Sequence, residues 1–118
     1  PSEFSDGIYA DNEIYVAGQV ALEADNAIIA PGDFEGQARE VFDRLTTVLN
    51  GFDATLNDVV KLNLFLVTDA DTEAMFNRVC EIWAELCPDG HPAVTPVRVQ
   101  TVLRFDSQNN QKYQRRIR

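Results

Sequence analysis

The part of the chain that most constrains its fold is an amphipathic segment between Asp33 and Gly51. Asp33 is a helix-capping residue type, and the pair Asn50-Gly51 is typical of a helix end. Between them, apolar residues recur at spacings of three and four, the period of one helix face. They are Phe34, Ala38, Val41, Phe42, Leu45, Val48 and Leu49, followed by Phe52. The segment therefore predicts a helix that buries one side, with Glu35, Arg39, Asp43 and Arg44 on the solvent side.

A second helix is predicted after Asp69 or Asp71, either of which can cap it. Its inner face is again apolar at helical spacing: Met75, Phe76, Val79, Ile82, Trp83 and Leu86. The turn formers at 88–90 would end it, and Glu81 and Glu85 fall on its solvent face. The two helices therefore have one apolar side each.

The remaining apolar stretches alternate with polar residues or are rich in β-formers, which predicts strands. Residues 7–22 predict a hairpin with strands at 8–9 and 13–20 around the turn pair Asp11-Asn12. The other predicted strands are a short one at 27–30, one within 59–68 (VVKLNLFLVT) and one at 94–104.

The element order β-β-(β)-α-β-α-β predicts a single domain, residues 1–118, with an α+β fold. We expect a two-layer sandwich in which both helices cover one face of a mixed β-sheet. The other face would carry Tyr15, Phe65 and Val67, and an uncovered apolar face of that kind is an association site. A closed homo-oligomer is therefore expected.

Charge excludes one class of partner. The chain carries a net charge of -9, and four of its ten basic residues lie in the last seven positions (Lys112, Arg115, Arg116 and Arg118). The first 111 residues therefore hold six basic and nineteen acidic side chains, a net of -13. Such a body repels phosphate backbones, so we expect no nucleic-acid partner.

Other classes are disfavoured by what the sequence lacks. It has no apolar run of about 20 residues for a membrane span and no signal-peptide pattern, so a cytoplasmic protein is expected. Cys80 and Cys87 are seven apart on one predicted helix, about 10 Å along its axis, too far to form a disulfide. We expect both as free buried thiols. With one histidine and no Cys/His cluster, we expect neither a metal nor a cofactor.

At this point the motifs resemble a known family. NEIYVAGQV (12–20) is similar to the "xxIYVSGQxG" strand of the Rid/YjgF (reactive intermediate/imine deaminase) family. The segment 31–83 then contains counterparts of its helix, "A/SSLDDVVKxTVFLxD" strand and "xxFxxxNxxYxxFF" helix in order. HPAVTPV (91–97) resembles the family's "PARSxV" segment. The resemblance covers about residues 4 to 104.

The resemblance implies a chorismate-mutase-like fold assembled as a homotrimer, with ligand clefts between subunits. In active members the cleft hydrolyses reactive enamines and imines, such as 2-aminoacrylate, to ammonia and a keto acid. The arginine of "PARS" pairs with the substrate carboxylate there, since its planar, always-charged group binds carboxylates in a bidentate way. Polar side chains and backbone groups then place water.

At most of the positions that match the family's cleft residues, this sequence carries a different residue. Val94 stands at the position of the "PARS" arginine and Thr95 at that of its serine. Phe4 takes the place of a cleft tyrosine and Ala17 that of a serine, while Gly18 and Asn77 are retained. The acid of the last strand has no counterpart, because residues 105–118 contain none after Asp106. These residues are an atypical tail or an altered last strand.

The resemblance therefore implies catalytic roles for Thr95 and Asn77, and ligand-binding roles for Phe4, Ala17, Gly18 and Val94. The strand alternation adds Arg98 as a ligand-binding candidate, because it points to the face opposite Val97 and Val99 and could enter the cleft as a substitute cation. Some of these residues can also have a structural role only. Val94 can be an ordinary core valine, and Arg98 can be a solvated side chain instead of a replacement cation. His91, next to Pro92, is interpreted as a loop residue rather than as a general acid or base. The Thr95 hydroxyl either contacts the ligand or has no role in binding. Gly18 allows close backbone packing in a strand, whether or not it also contacts a ligand.

Three functions remain at this stage. The first is an enamine/imine deaminase of altered specificity, whose activity on 2-aminoacrylate is weak or absent because Val94 cannot bind its carboxylate. The second is a non-catalytic trimer that binds a small molecule or acts as an interaction protein. The third, the endoribonuclease activity attached to the family's names, is opposed by the net charge and by the lack of a His/Lys/Arg catalytic set.

Overall fold

The computed structural model describes residues 4–22, 25, 27, 29–67 and 71–100. Its elements in chain order are β1 (Gly7–Ala10), β2 (Glu13–Val16), α1 (Phe34–Asn50), a short 3-10 helix (Leu56–Asp58), β3 (Lys61–Val67), α2 (Thr72–Leu86) and β4 (Ala93–Val99). The predicted α+β fold with two helices is confirmed. The predictions for Asp69, for residues 101–104 of the last strand and for the tail at 105–118 fall outside the described residues.

The N-terminal hairpin forms as predicted, although β2 ends at Val16 rather than Val20. Its strands are antiparallel, with Ile8 opposite Tyr15. Asp11 and Asn12 both have positive φ, 53° and 64°, as the two central residues of a tight hairpin turn require.

The short strand expected at 27–30 does not form among the described residues of that segment. Ala27, Ile29 and Ala30 lie in no strand, and Ala30 has a φ of 50°, which is incompatible with extended backbone. The Ile29 amide still donates to the Ala21 carbonyl at 2.9 Å, so the segment is held near the end of the hairpin region.

Both helices begin where the sequence predicts. The Asp33 carboxylate accepts a hydrogen bond from the Gly36 amide at 3.0 Å and caps α1. Asp71 caps α2 in the same way through the Ala74 amide at 3.2 Å. Each cap satisfies a backbone amide that has no partner inside its helix. The inner-face prediction fails at Leu86, which is 45% exposed at the last position of α2.

β3 and β4 pair in parallel, with Leu62 opposite Val94 and Asn63 opposite Thr95. Successive side chains of a strand point to opposite faces. Leu62, Leu64 and Leu66 of β3 therefore face the helices and are partly or fully buried, whereas the odd-numbered positions of β3 are exposed. We call the side that carries Lys61, Asn63, Phe65, Thr95 and Val97 the outer face of the β3–β4 sheet.

One hydrophobic core connects these layers. Phe42 of α1 and Trp83 of α2 meet edge to face, with ring centroids 5.3 Å apart and planes at 82°. Ile82 beside them is fully buried. Residues of both sheets pack against this cluster, including Ile14, Val16, Leu62 and Leu64. The two-layer arrangement of helices on strands therefore rests on one continuous apolar contact.

The prediction of a single mixed sheet needs a correction. Strand directions are mixed, but the described strands form two separate two-stranded sheets, β1–β2 and β3–β4. Sequence alternation indicates which residues form strands, whereas the choice of neighbours depends on contacts between distant segments. In the described part of the chain no helix is long and apolar enough to cross a membrane.

Candidate functional site

Val94 lines an apolar cavity of about 190 Å³ between the β3–β4 sheet and α2. The register with Leu62 points both side chains toward α2. Its walls include Leu62, Leu64, Cys80, His91, Pro92 and Val94. We call this space the Val94 cavity, and among the described residues no lysine or arginine lines it. It is therefore suited to a small apolar group, and a carboxylate placed there would lack a permanent cation.

The turn that leads into β4 fixes the floor of the Val94 cavity. The Trp83 indole N–H donates to the Gly90 carbonyl at 3.2 Å, and the Cys87 thiol donates to Asn57 Oδ1 at 2.9 Å. A methyl group added at Gly90 would meet Cys87 Sγ at 2.5 Å. Glycine is therefore needed at this position because the turn backbone approaches the end of α2 closely.

The thiol expectation is half correct. Both cysteines are free, and Cys87 is buried, but Cys80 is exposed. Partial burial raises the pKa of the Cys80 thiol, which keeps it protonated near neutral pH. Within the described residues, no group of three or more His, Cys, Asp or Glu side chains is placed to hold a metal ion.

Thr95 lies next to Val94 but points to the other side of the sheet. On the outer face, the Lys61 ammonium donates to Thr95 Oγ1 at 2.5 Å, and Asn63 is the register partner of Thr95. Sequence reasoning missed Lys61 as a partner of Thr95. The polar face of β3 was visible in the alternation, but only the parallel register brings it beside β4.

Arg98 and Asn77 lie at the borders of this region. Arg98 is exposed on β4, four residues after Val94 and therefore about 13 Å further along the strand. Asn77 is exposed on α2, nearly one turn before Cys80, and neither residue lines the Val94 cavity.

The remaining candidate residues belong to a different part of the fold. The Ala17 amide donates to the Asp6 carbonyl at 2.8 Å, directly after β2, and the Ala17 carbonyl accepts from the Gln19 side chain at 3.1 Å. Gly18 is exposed, and Phe4 is 61% exposed. None of Phe4, Ala17 and Gly18 lines the Val94 cavity. The candidate residues thus form two groups, one at the hairpin and one at β4 and α2.

Comparison with known proteins supports the motif resemblance. Residues 1–107 match the family described as Endoribonuclease L-PSP. A RutC family protein of Pyrococcus horikoshii is 30% identical over 96 residues, covering 81% of this chain and 73% of that protein. The 3-aminoacrylate deaminase RutC of Acinetobacter baylyi is 32% identical over 93 residues, covering 79% of this chain and 71% of that protein.

The fold comparison agrees. A Rid family protein of unknown function from Yersinia pestis, YyfA, superposes with a TM-score of 0.75 at 23% identity, covering 86% of this chain and 79% of that one. At that identity the likeness concerns the fold alone. Together with the match over residues 1–107, it assigns the chain: it belongs to the Endoribonuclease L-PSP family, the YjgF/Rid family of its motifs.

Proposed function

We propose that the protein is an enamine or imine deaminase of altered specificity, acting on a small molecule that presents an apolar group to the Val94 cavity. The observation that carries the proposal is the cavity itself, which is lined by Val94, the residue that the motif resemblance places at the substrate-binding arginine, and which has no permanent cation among the described residues of its wall. The 32% identical relative named as a 3-aminoacrylate deaminase supports the class of reaction.

The reaction would be a hydrolysis. Water adds to the imine carbon, the C–N bond breaks, and ammonia leaves together with a carbonyl compound. The groups proposed to orient that water are the Thr95 hydroxyl and the Asn77 amide. Thr95 faces away from the cavity, but the edge of β4 that does not face β3 has no partner strand among the described residues. A ligand at that edge can contact both sides of the strand.

The proposed assembly is a homotrimer whose clefts lie between subunits. Large apolar side chains are exposed on the strands, among them Phe65 (38%), Val67 (49%) and Val97 (38%). Burial of such a surface by another copy would remove it from water. The separation of the two groups of candidate residues supports the same arrangement, because Phe4, Ala17 and Gly18 of one copy can then complete the site beside Val94 of another.

The test of the proposed reaction is a coupled assay. A serine or threonine dehydratase generates 2-aminoacrylate or its four-carbon homologue, and keto-acid release is followed with the wild type, Val94→Arg and Val94→Gln. An arginine that pairs with the carboxylate adds on the order of 2–5 kcal/mol, or about thirtyfold to a few thousandfold in rate. We expect weak or no acceleration by the wild type, a clear gain for Val94→Arg, and none for the uncharged Val94→Gln.

The alternative function is a non-catalytic trimer that binds a small apolar molecule in the same cleft. It is favoured by the composition of the cavity wall, whose described residues are apolar apart from His91, Gly90 and the two cysteines. If Val94→Arg is also silent in the coupled assay, while apolar ligands still raise the melting temperature of the wild type, the binding function replaces the deaminase.

A further inference from the structure

The wall of the Val94 cavity combines buried and exposed residues. Val79 and Trp83 are buried, whereas Ala84 and His91 line the same space and are exposed. The exposed residues mark the side of the cavity that is open to solvent. A ligand should therefore enter with its apolar part first and keep its polar group near that opening, because a polar group buried without a hydrogen-bond partner costs free energy.

The volume of the Val94 cavity limits the apolar part of a ligand. The cavity measures about 190 Å³, and an apolar cavity of about 150 Å³ in another protein holds one benzene molecule. A phenyl ring or a branched chain of about four to six carbons therefore fits. A much smaller group would leave part of the wall without van der Waals contacts.

The charge of the chain limits the other part of the ligand. In an imine made from an amino acid, the carboxylate is bonded to the imine carbon, so it accompanies the reacting carbon to the cavity. No lysine or arginine is among the described residues of the wall, so that carboxylate would lose hydration without gaining a charged partner. The net charge of -9 also repels anions and attracts a protonated imine. The cavity therefore favours an imine without a carboxylate.

We propose that the substrate is an aldimine, R–CH=NH, in which R is a phenyl group or a short branched alkyl group and no carboxylate is present. This inference rests on the proposed deaminase function and specifies the substrate class of the same site. Water adds to the carbon of the C=N bond, the C–N bond then breaks, and the products are the aldehyde R–CHO and ammonia. Neither oxidation nor reduction takes place in this step.

The chemistry of the aldimine defines the reactions before and after it. An aldimine of this kind forms when a flavin-dependent amine oxidase oxidises R–CH2–NH2: two electrons and two hydrogens leave the amine, and the flavin that accepts them is reoxidised by O2. The aldehyde is itself reactive, so an oxidation to the acid or a reduction to the alcohol has to consume it. The protein therefore acts between the oxidation of a primary amine and the removal of an aldehyde.

The experiment compares two imines that differ only in the carboxylate. A flavin-dependent amine oxidase converts 3-methylbutylamine to the neutral imine, and an amino-acid oxidase converts leucine to the imine with the same isobutyl group and a carboxylate. A timed quench with sodium borodeuteride turns the remaining imine into a deuterated amine and the carbonyl product into a deuterated alcohol. Mass spectrometry of the two products gives the rate of hydrolysis with and without the protein.

Three variants connect the rates to the Val94 cavity. Ala84→Leu fills part of the cavity from an exposed position of α2, where the larger side chain does not disturb the core. Ala74→Leu is the matched control, because it makes the same exchange at an exposed position of the same helix that does not line the cavity. Val94→Arg adds the missing cation. Circular dichroism checks the folding of each variant, and the two imines compared on the wild type carry the test without any variant.

We expect the wild type to accelerate hydrolysis of the neutral imine, with a kcat/KM at least about tenfold above that for the leucine imine. Val94→Arg should reverse this preference, because the guanidinium pairs with the carboxylate. Ala84→Leu should lower the rate on the neutral imine by about tenfold, since the isobutyl group no longer fits. Ala74→Leu should stay within about twofold of the wild type, as surface substitutions generally do.

Three results would overturn the aldimine as substrate and leave the deaminase standing. They are hydrolysis of the leucine imine by the wild type at an equal or higher rate, a silent wild type together with a Val94→Arg variant that hydrolyses the leucine imine, and equal effects of Ala84→Leu and Ala74→Leu. If neither the wild type nor Val94→Arg accelerates either imine, the proposed deaminase function fails together with this inference.

Discussion

Val94 lies opposite Leu62 in the parallel pairing of β4 with β3, so both side chains face the same apolar cavity below α2. Val94, which stands at the position of the family's carboxylate-binding arginine, thus lines a cavity together with Leu62 and Leu64. Two consequences follow for ligand binding and for stability, because the chemistry of the cavity changes with this one residue.

The first prediction concerns Val94→Arg. A guanidinium placed beside Leu62 and Leu64 is poorly solvated, so we expect the free energy of unfolding to fall by about 1–3 kcal/mol. A carboxylate ligand such as pyruvate neutralises it in the folded state only, and should therefore raise the melting temperature of the variant more than that of the wild type. Differential scanning fluorimetry measures both, with Val94→Gln as the uncharged control. Equal shifts in all three proteins would contradict the placement of residue 94 in an accessible cavity.

The second prediction concerns Gly90, where the turn into β4 touches the end of α2. In Gly90→Ala the new methyl carbon would lie 2.5 Å from Cys87 Sγ. The thiol is buried and bound to Asn57, so relief requires a shift of the turn, at a cost of about 1–3 kcal/mol. Urea denaturation measures this cost.

A double-mutant cycle identifies the cause. Cys87→Ala removes the sulfur atom that the new methyl would meet, so Gly90→Ala should cost less in that background than in the wild type. Purely additive effects would show that the cost arises from the backbone of the turn and not from the thiol.

The third prediction concerns the interhelical charge cluster. Hydrogen bonds from Arg78 and then from Arg39 hold the pKa of the Glu35 carboxyl below its usual range. Because the folded-state pKa is lowered, the stabilisation is present above the pKa of an ordinary glutamate and is lost as the pH falls through the lowered value. The stability advantage of the wild type over Glu35→Gln should therefore be small at neutral pH, because the group is exposed, and should disappear in acid.

Urea denaturation of both proteins across this acidic range measures the advantage. Glu40→Gln is the matched control, because Glu40 pairs with Arg44 within α1 and takes no part in the contacts between the helices that the described residues form. A difference between wild type and Glu35→Gln that persists unchanged in acid would show that the amide disturbs packing rather than charge.

Local features of the sequence were sufficient for much of the fold. Asp33 and Asp71 cap their helices through amides three residues ahead, and Asp11 with Asn12 forms the hairpin turn. Each of these caps and turns involves only two to four consecutive residues, so the local sequence is sufficient to predict it. The described residues of the segment 27–30 lie in no strand, and Ala30 adopts a positive φ, which no side-chain pattern indicates.

The candidate site was less predictable because its geometry depends on distant pairings. Thr95 and Val94 were expected to serve one pocket, yet they point to opposite sides of β4. The Lys61–Thr95 contact joins residues 34 apart in the sequence and requires the parallel register of β3 with β4. The same holds for Glu35 and Glu85, which were placed on solvent faces but bind arginines between the two helices.

The last prediction concerns Cys80, an exposed thiol in the wall of the Val94 cavity. Burial raises its pKa, so less thiolate is present at neutral pH than in free cysteine, and alkylation should be slower and should accelerate as the pH rises. Mass spectrometry after maleimide treatment should find one label, at Cys80, because Cys87 is buried. Cys80→Ser should therefore remain unlabelled under native conditions, whereas Cys87→Ala should label as the wild type does. A ligand that fills the Val94 cavity should slow the labelling. Fast labelling at neutral pH would contradict the raised pKa of Cys80. If ligands that stabilise the protein do not slow the labelling, they bind outside the Val94 cavity.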